Sequence, residues 1–220
     1  MFDITKLILK IPNFLTPEEC DILIKEHKRK EEEAVLEECQ HANTGIVTES
    51  TFRAIYLEPR TLEFDLVKTK TKEAVKKYSE YLLSSGCFHK NLAETFKYSH
   101  DYRLLKYEKG AKIHPHTDHD SHVYGSITFN LNEDYEGGDF KFFNGNHTVS
   151  LAKGDVMLFP ADYFWVHEVT PILSGVRYST NSFLTNIPYP VATYHNDQSR
   201  LDEKSFLNQT PKEEVLGPYC

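Results

Sequence analysis

Cysteine is sparse in this 220-residue chain, and the four present are scattered: Cys20, Cys39, Cys87 and Cys220. They form no C-x-x-C pair and no dense framework, which excludes a disulfide-stapled scaffold and a thiolate zinc site. Reduced thiols are the expectation. Long apolar runs are missing too; none approaches the roughly 18 residues of a membrane helix. The opening MFDITKLILKIPNF carries an early Asp3 and no long apolar core, so it does not read as a signal peptide. A cytoplasmic protein without a membrane partner is the expectation. Basic charge is in deficit, with a net charge of −8, which argues against a nucleic-acid partner. No Ser-His-Asp pattern stands out, and Gly137, Gly138 and Gly154 read as turn residues, not as a phosphate loop.

What the chain does have is ordinary globular composition, 40% hydrophobic and 26% charged. That suffices for one domain over residues 1–220 with a core that needs no cross-links. Residues 2–11 alternate like a short strand. Thr16-Pro17-Glu18-Glu19 reads as a capping box opening a helix that the following charged run carries to about Glu38. Residues 40–50 read as a loop and 52–57 as a strand. A second helix is expected over 61–84, burying Leu62, Leu66, Val75, Tyr78, Tyr81 and Leu82 and ending at Gly86. Residues 88–99 are ambiguous.

From Tyr102 the texture changes to short β-branched and aromatic runs separated by turn residues. Strands are expected near 102–108, 112–118, 123–131, 138–143, 147–150, 155–159, 164–169 and 175–184, with Asn144-Gly145 a hairpin signal. Eight such strands predict a mainly β fold: a jelly-roll, cupin-like double-stranded β-helix over 101–185. Residues 1–100 would support it, with helices packed on one outer face, and 186–220 would form an irregular tail.

The densest chemistry lies in Lys112-Ile-His-Pro-His-Thr-Asp-His-Asp120. His116 and Asp118 are two apart, so an extended strand points both to one face. With His167 as a third ligand they match the two-His, one-carboxylate facial triad of non-haem iron sites. A second H-x-D, His195 to Asp197, lies in the polar tail and reads as an exposed loop. Arg177 follows His167 by ten residues, in the next expected strand, with Ser179 and Asn181 on its face. In 126–131 the polar Ser126, Thr128 and Asn130 share one face, and Ile127, Phe129 and Leu131 the other. A polar face inside a barrel would need a polar ligand, which makes Thr128 and Asn130 candidate pocket residues, against solvent exposure as the alternative. His114, His119, Asp120 and His122 crowd the pair, and each singly reads as a polar strand end, with one of them orienting a metal ligand as the alternative. Trp165, the only tryptophan, reads as core, with the floor of a substrate pocket as the alternative.

The motifs HPHTD, YEGGDFKFF, KGDVMLFP and HEVTPILSGVRYSTNSF resemble the 2-oxoglutarate and Fe(II)-dependent dioxygenases, in the prolyl 4-hydroxylase and lysyl hydroxylase branch. FLTPEECDILI is similar to that branch's first helix. The resemblance implies Fe(II) on His116, Asp118 and His167, and 2-oxoglutarate with its distal carboxylate on Arg177. A guanidinium suits that task because its planar fork grips a carboxylate through two hydrogen bonds. It also implies that Tyr107 contacts the cosubstrate; a core aromatic is the alternative. The branch often carries an aromatic hydroxyl where this chain has Asn130, which puts that contact in question; Ser179 could assist. Implied further are O2 as oxidant, ascorbate as supporting reductant, release of succinate and CO2, and a proline-containing peptide or protein as substrate, with lysyl second. Residues 40–50 and 119–125 are the expected lid. Rival readings are a dioxygenase acting on a free amino acid, small molecule or nucleic acid, a cupin of another kind, and a non-catalytic metal-binding module.

Overall fold

Thr16 begins the first helix through reciprocal bonds: its hydroxyl accepts from the Glu19 amide at 3.2 Å, and the Glu19 carboxylate accepts from the Thr16 amide at 2.9 Å. This is a computed structural model, and it describes residues 3–86, 95–119 and 122–188. In chain order it shows β1 (Leu9–Ile11), α1 (Pro17–Arg29), β2 (Glu38–Gln40), β3 (Val47–Glu49), β4 (Arg53–Tyr56) and α2 (Leu62–Ser84). Then come β5 (Tyr98–Tyr107), β6 (Ile113–His116), β7 (Val123–Asn130), β8 (Tyr135–Gly137) and β9 (Phe140–Phe142). The last are β10 (His147–Val149), β11 (Val156–Pro160), β12 (His167–Val169), β13 (Ile172–Gly175) and β14 (Arg177–Thr185).

The large sheet runs β1-β11-β7-β14-β5-β4 and the smaller one β10-β9-β12-β6, with every pairing antiparallel. Two further pairs, β8 with β13 and β2 with β3, flank them. The large sheet is buried on both faces, and alternation sorts its side chains. Leu104, Ile127, Phe129, Val156, Leu158, Tyr178 and Leu184 point outward and pack with Leu23 of α1 and Phe64, Val67, Val75, Tyr78 and Leu82 of α2. Removing each such side chain from water contributes about 1.5–3 kcal/mol. Met157 and Phe159 point inward instead, onto Phe140 and Phe142 of the smaller sheet. The architecture is therefore mainly β, a double-stranded β-helix with both helices on one outer face. No helix among the described residues is long and apolar enough to cross a membrane.

Several local expectations are corrected. The alternating 2–11 stretch is a 3-10 turn at Ile4–Leu7 followed by only three strand residues. Helix α1 stops at Arg29, nine residues short of Glu38, and a 3-10 turn of glutamates follows. The glutamate-rich run has helix propensity, but tertiary pairing overrides it: Val35 bridges Ala54, and Glu37 reaches Arg103. The expected loop at 40–50 contains β3, paired to β2. On α2, Leu62 is exposed and Tyr81 half-exposed, because the buried stripe runs through Phe64, Val67, Thr71, Ala74 and Val75. Strand β12 starts at His167, so Trp165 lies before it, buried in the core as expected. Two expected turns, around Gly137 and Gly175, are strands β8 and β13 paired to one another. Cys87, Cys220, Asp120, His195, Asp197, most of 88–99 and residues 189–220 of the tail lie outside the described residues.

Candidate active site

His116 and His167 sit directly opposite each other on β6 and β12. Opposed residues of an antiparallel pair carry their side chains on the same face, so register alone brings the two imidazoles together. Their ring centroids are 4.3 Å apart. Asp118, two residues beyond His116, adds its carboxylate: Oδ1 is 3.2 Å from His116 Nε2 and Oδ2 is 3.6 Å from His167 Nε2. One ligating atom from each of the three lies within 4.8 Å of the others, a set able to hold a metal ion.

Backbone bonds orient both rings. His116 Nδ1 donates to the His114 carbonyl at 2.8 Å, and His167 Nδ1 donates to the Trp165 carbonyl at 3.0 Å. With Nδ1 protonated, Nε2 keeps its lone pair and faces the shared centre. His167 is enclosed by Phe142, Phe159 and Phe140. That burial, with the nearby His116, pushes its pKa down to about 4, so the ring is neutral and ready to ligate. Burial would also lower His116, but the hydrogen bond and charge of Asp118 outweigh it and shift His116 upward. Burial alone would raise Asp118; the two histidines and the Ser126 hydroxyl, which donates to Oδ2 at 2.6 Å, hold it well below the usual carboxylate range.

Arg177 opens β14, opposite Tyr107 of β5. Its guanidinium carbon lies 4.9 Å from the Tyr107 ring centroid and 5.4 Å from that of Phe140. Nε donates to Asn130 Oδ1 at 3.1 Å. Nη1 is buried and finds no partner among the described residues, nor does the hydroxyl of Ser179 two residues on. Unpaired buried donors are costly, so two on one strand face fit an anionic oxygen ligand such as the distal carboxylate of 2-oxoglutarate. Burial pushes the Tyr107 phenol up to about 12, so it stays a donor.

Tyr107, Thr128, Phe140, His116, Asp118 and His167 line a cavity of about 720 Å³, and Arg177 lies against the rings of Tyr107 and Phe140 in that wall. Thr128 thus sits where alternation placed it, buried and not solvent-exposed. Asn130 is corrected: it is fully buried behind the cavity and touches Arg177. Asn181 lines the cavity and accepts from Arg103 Nε at 3.1 Å. His119 lines the cavity beneath Tyr163, with ring centroids 3.9 Å apart. His114 turns toward His41, at 5.4 Å. Sequence reasoning missed Glu37, Arg103 and Tyr135. Arg103 Nη1 pairs with Glu37 Oε2 at 2.5 Å, and Tyr135 donates to Asn130 Oδ1 at 3.0 Å. Arg103 shares the inward parity of Tyr107 on β5, and that was the one available signal; Glu37 lay in an assumed helix.

Residues 102–185 match the 2OG-Fe(II) oxygenase superfamily. The chain is 34% identical over 77 residues to a PKHD-type hydroxylase of Cupriavidus metallidurans, across 33% of this chain and 33% of that protein. It is 31% identical over 84 residues to the Homo sapiens procollagen-lysine,2-oxoglutarate 5-dioxygenase 2, across 37% of this chain and 11% of that protein. The matched stretch is thus a third or less of either relative's length. The fold superposes on the viral collagen prolyl hydroxylase of Paramecium Bursaria Chlorella virus-1, in its 2OG complex. The TM-score is 0.60 at 18% identity, covering 82% of this chain and 96% of that one. Residues 102–185, which hold the H-x-D pair, the later histidine and the arginine of β14, are thus the stretch of the chain that is similar to the 2OG-Fe(II) oxygenase superfamily.

Proposed function

We propose that this chain is an Fe(II)- and 2-oxoglutarate-dependent dioxygenase that hydroxylates a C–H bond of a prolyl residue in a peptide or protein. One observation carries the reading: three convergent ligating groups line a cavity whose wall residues Tyr107 and Phe140 also flank a buried guanidinium with an unpaired Nη1. His116, Asp118 and His167 would hold Fe(II), and Arg177 with Ser179 would take the distal carboxylate of 2-oxoglutarate. Tyr107 and Thr128 would line the space between. Bound iron supplies the coupling of O2 reduction to decarboxylation, so that 2-oxoglutarate, O2 and the C–H become succinate, CO2 and C–OH. The chain's own part is to bind, orient and exclude water. Phe140, Phe142 and Phe159 make the wall around His167 apolar, as a reactive centre requires.

The prolyl substrate is supported by the viral collagen prolyl hydroxylase likeness and by an aromatic rim that includes Tyr163 and Phe183, suited to an apolar ring. With Glu37 already paired to Arg103, the carboxylates of Glu38 and Asp101 on the same walls would repel phosphates, which disfavours nucleic acid. The test is succinate release with Fe(II), 2-oxoglutarate and ascorbate, with and without proline-rich peptides read by mass spectrometry. The expected results are peptide-stimulated turnover, a product heavier by one oxygen, and loss of both in His167→Ala. No turnover together with no iron-dependent 2-oxoglutarate binding would overturn the enzyme reading; oxygen found on another residue type would overturn the prolyl assignment alone.

A further inference from the structure

We infer that Asn130, steadied by Tyr135, aims the Arg177 guanidinium and thereby sets how tightly and how selectively a 2-oxo diacid is gripped. The inference rests on Arg177 being the receiver of the distal carboxylate. Asn130 is fully buried, and both ends of its carboxamide are used. Nδ2 faces the backbone carbonyls of Asn132 at 2.6 Å and Leu151 at 3.1 Å, with that of Ala152 at 3.4 Å. Carbonyls only accept, so the amide nitrogen must lie on that side and the oxygen on the other. Oδ1 accordingly accepts from the Tyr135 hydroxyl at 3.0 Å and from Arg177 Nε at 3.1 Å.

A guanidinium can offer a carboxylate either its Nε side or its two terminal nitrogens. With Nε held by Asn130, the terminal fork is what remains. The rings of Tyr107 and Phe140 fix the plane of the group, and the Asn130 bond fixes its rotation within that plane. Gly138 closes another side: a Cβ there would lie 3.0 Å from Arg177 Cδ and 3.2 Å from Tyr135 Cε2. The span from fork to the His-Asp-His centre is therefore fixed. A five-carbon diacid either fits it or does not, and a longer homologue requires the fork to retreat from Asn130. Asn130 and Tyr135 act through Arg177, so both are positioning residues.

The experiment is calorimetry on the full chain loaded with Mn(II), a redox-inert occupant of the same centre, titrated with 2-oxoglutarate and with 2-oxoadipate. Asn130→Ala is expected to weaken 2-oxoglutarate binding roughly ten- to hundredfold, the range for a bond to a charged group, with Mn(II) affinity unchanged. It is expected to weaken 2-oxoadipate less, narrowing the preference about fivefold or more. Tyr135→Phe removes one hydroxyl and is expected to weaken 2-oxoglutarate about two- to fivefold. Equal losses for both diacids, as a merely structural role would give, overturn the inference, as does wild-type affinity in both variants. Where Asn130→Ala does not fold, Tyr135→Phe decides alone: wild-type affinity and selectivity overturn the inference. Wild-type protein that binds Mn(II) but no 2-oxoglutarate overturns the functional reading as well; wild-type binding with unaltered variants overturns only the inference.

Discussion

Asp118 keeps its charge where burial alone would neutralise it, and Ser126 is one reason. The Ser126 hydroxyl, 2.6 Å from Oδ2, fixes the carboxylate's rotation as well as its charge. Groups that orient metal ligands typically change metal affinity by about 10–100-fold. Ser126→Ala should therefore weaken Fe(II) or Mn(II) binding by about tenfold, measured by titration under anaerobic conditions; an unchanged affinity would deny Ser126 that role. The residue scale was also the most legible in sequence. The H-x-D spacing is a two-residue period, and the buried polar face of Ser126, Thr128 and Asn130 follows from the same period. Tyr135 was not legible, because its hydroxyl acts through an amide five positions earlier across a chain reversal, and no local pattern encodes that.

Among the elements, α2 and the start of α1 follow from periodicity and capping, whereas the end of α1 does not. The glutamates after Arg29 carry no helix stop signal; what ends the helix is the Val35 bridge to Ala54, a contact distant in sequence. Helix α1 also buries His27 edge-on against Tyr178. That burial, reinforced by the positive charge of Lys106, lowers the His27 pKa below its ordinary value of 6.5. The sign follows from linkage. Below the unfolded value the unfolded chain takes a proton on this ring and the folded chain resists it, so acid favours unfolding. The stability of neutral His27 is present above about pH 6.5 and is lost as pH falls toward the folded value. The urea midpoint should drop between about pH 7.5 and pH 5.5. His27→Phe, which packs a ring but cannot titrate, should flatten that slope; an equal slope in both proteins would remove His27 as its source.

At the scale of the whole molecule, the β2–β3 hairpin lies where the sequence predicts a loop. Glu37, just before β2, pairs with Arg103 inside the barrel, and the Ala42 amide donates to the Pro115 carbonyl at 2.6 Å. Its tip offers Ile46 and Val47 to solvent at 59% and 53% exposure. The Val35 bridge to Ala54, the Tyr56 hydroxyl on Glu37 and the packing of Cys39 hold the hairpin as well, yet it can open locally without unzipping the barrel, whose own pairings do not pass through it. Breaking a buried pair by removing one partner leaves the other charge uncompensated, and here that penalty falls on the hairpin. Arg103→Met should therefore speed thermolysin cleavage before Ile46 and Val47 on the order of tenfold or more, while the thermal midpoint moves little. In the wild-type chain, iron, 2-oxoglutarate and a hydroxylatable peptide together should slow the same cleavage, since the hairpin residues Gln40, His41 and Gly45 line the cavity such a peptide would fill. Cleavage that ignores both the substitution and the ligands would show that the hairpin is neither latched by Arg103 nor a cover for the site.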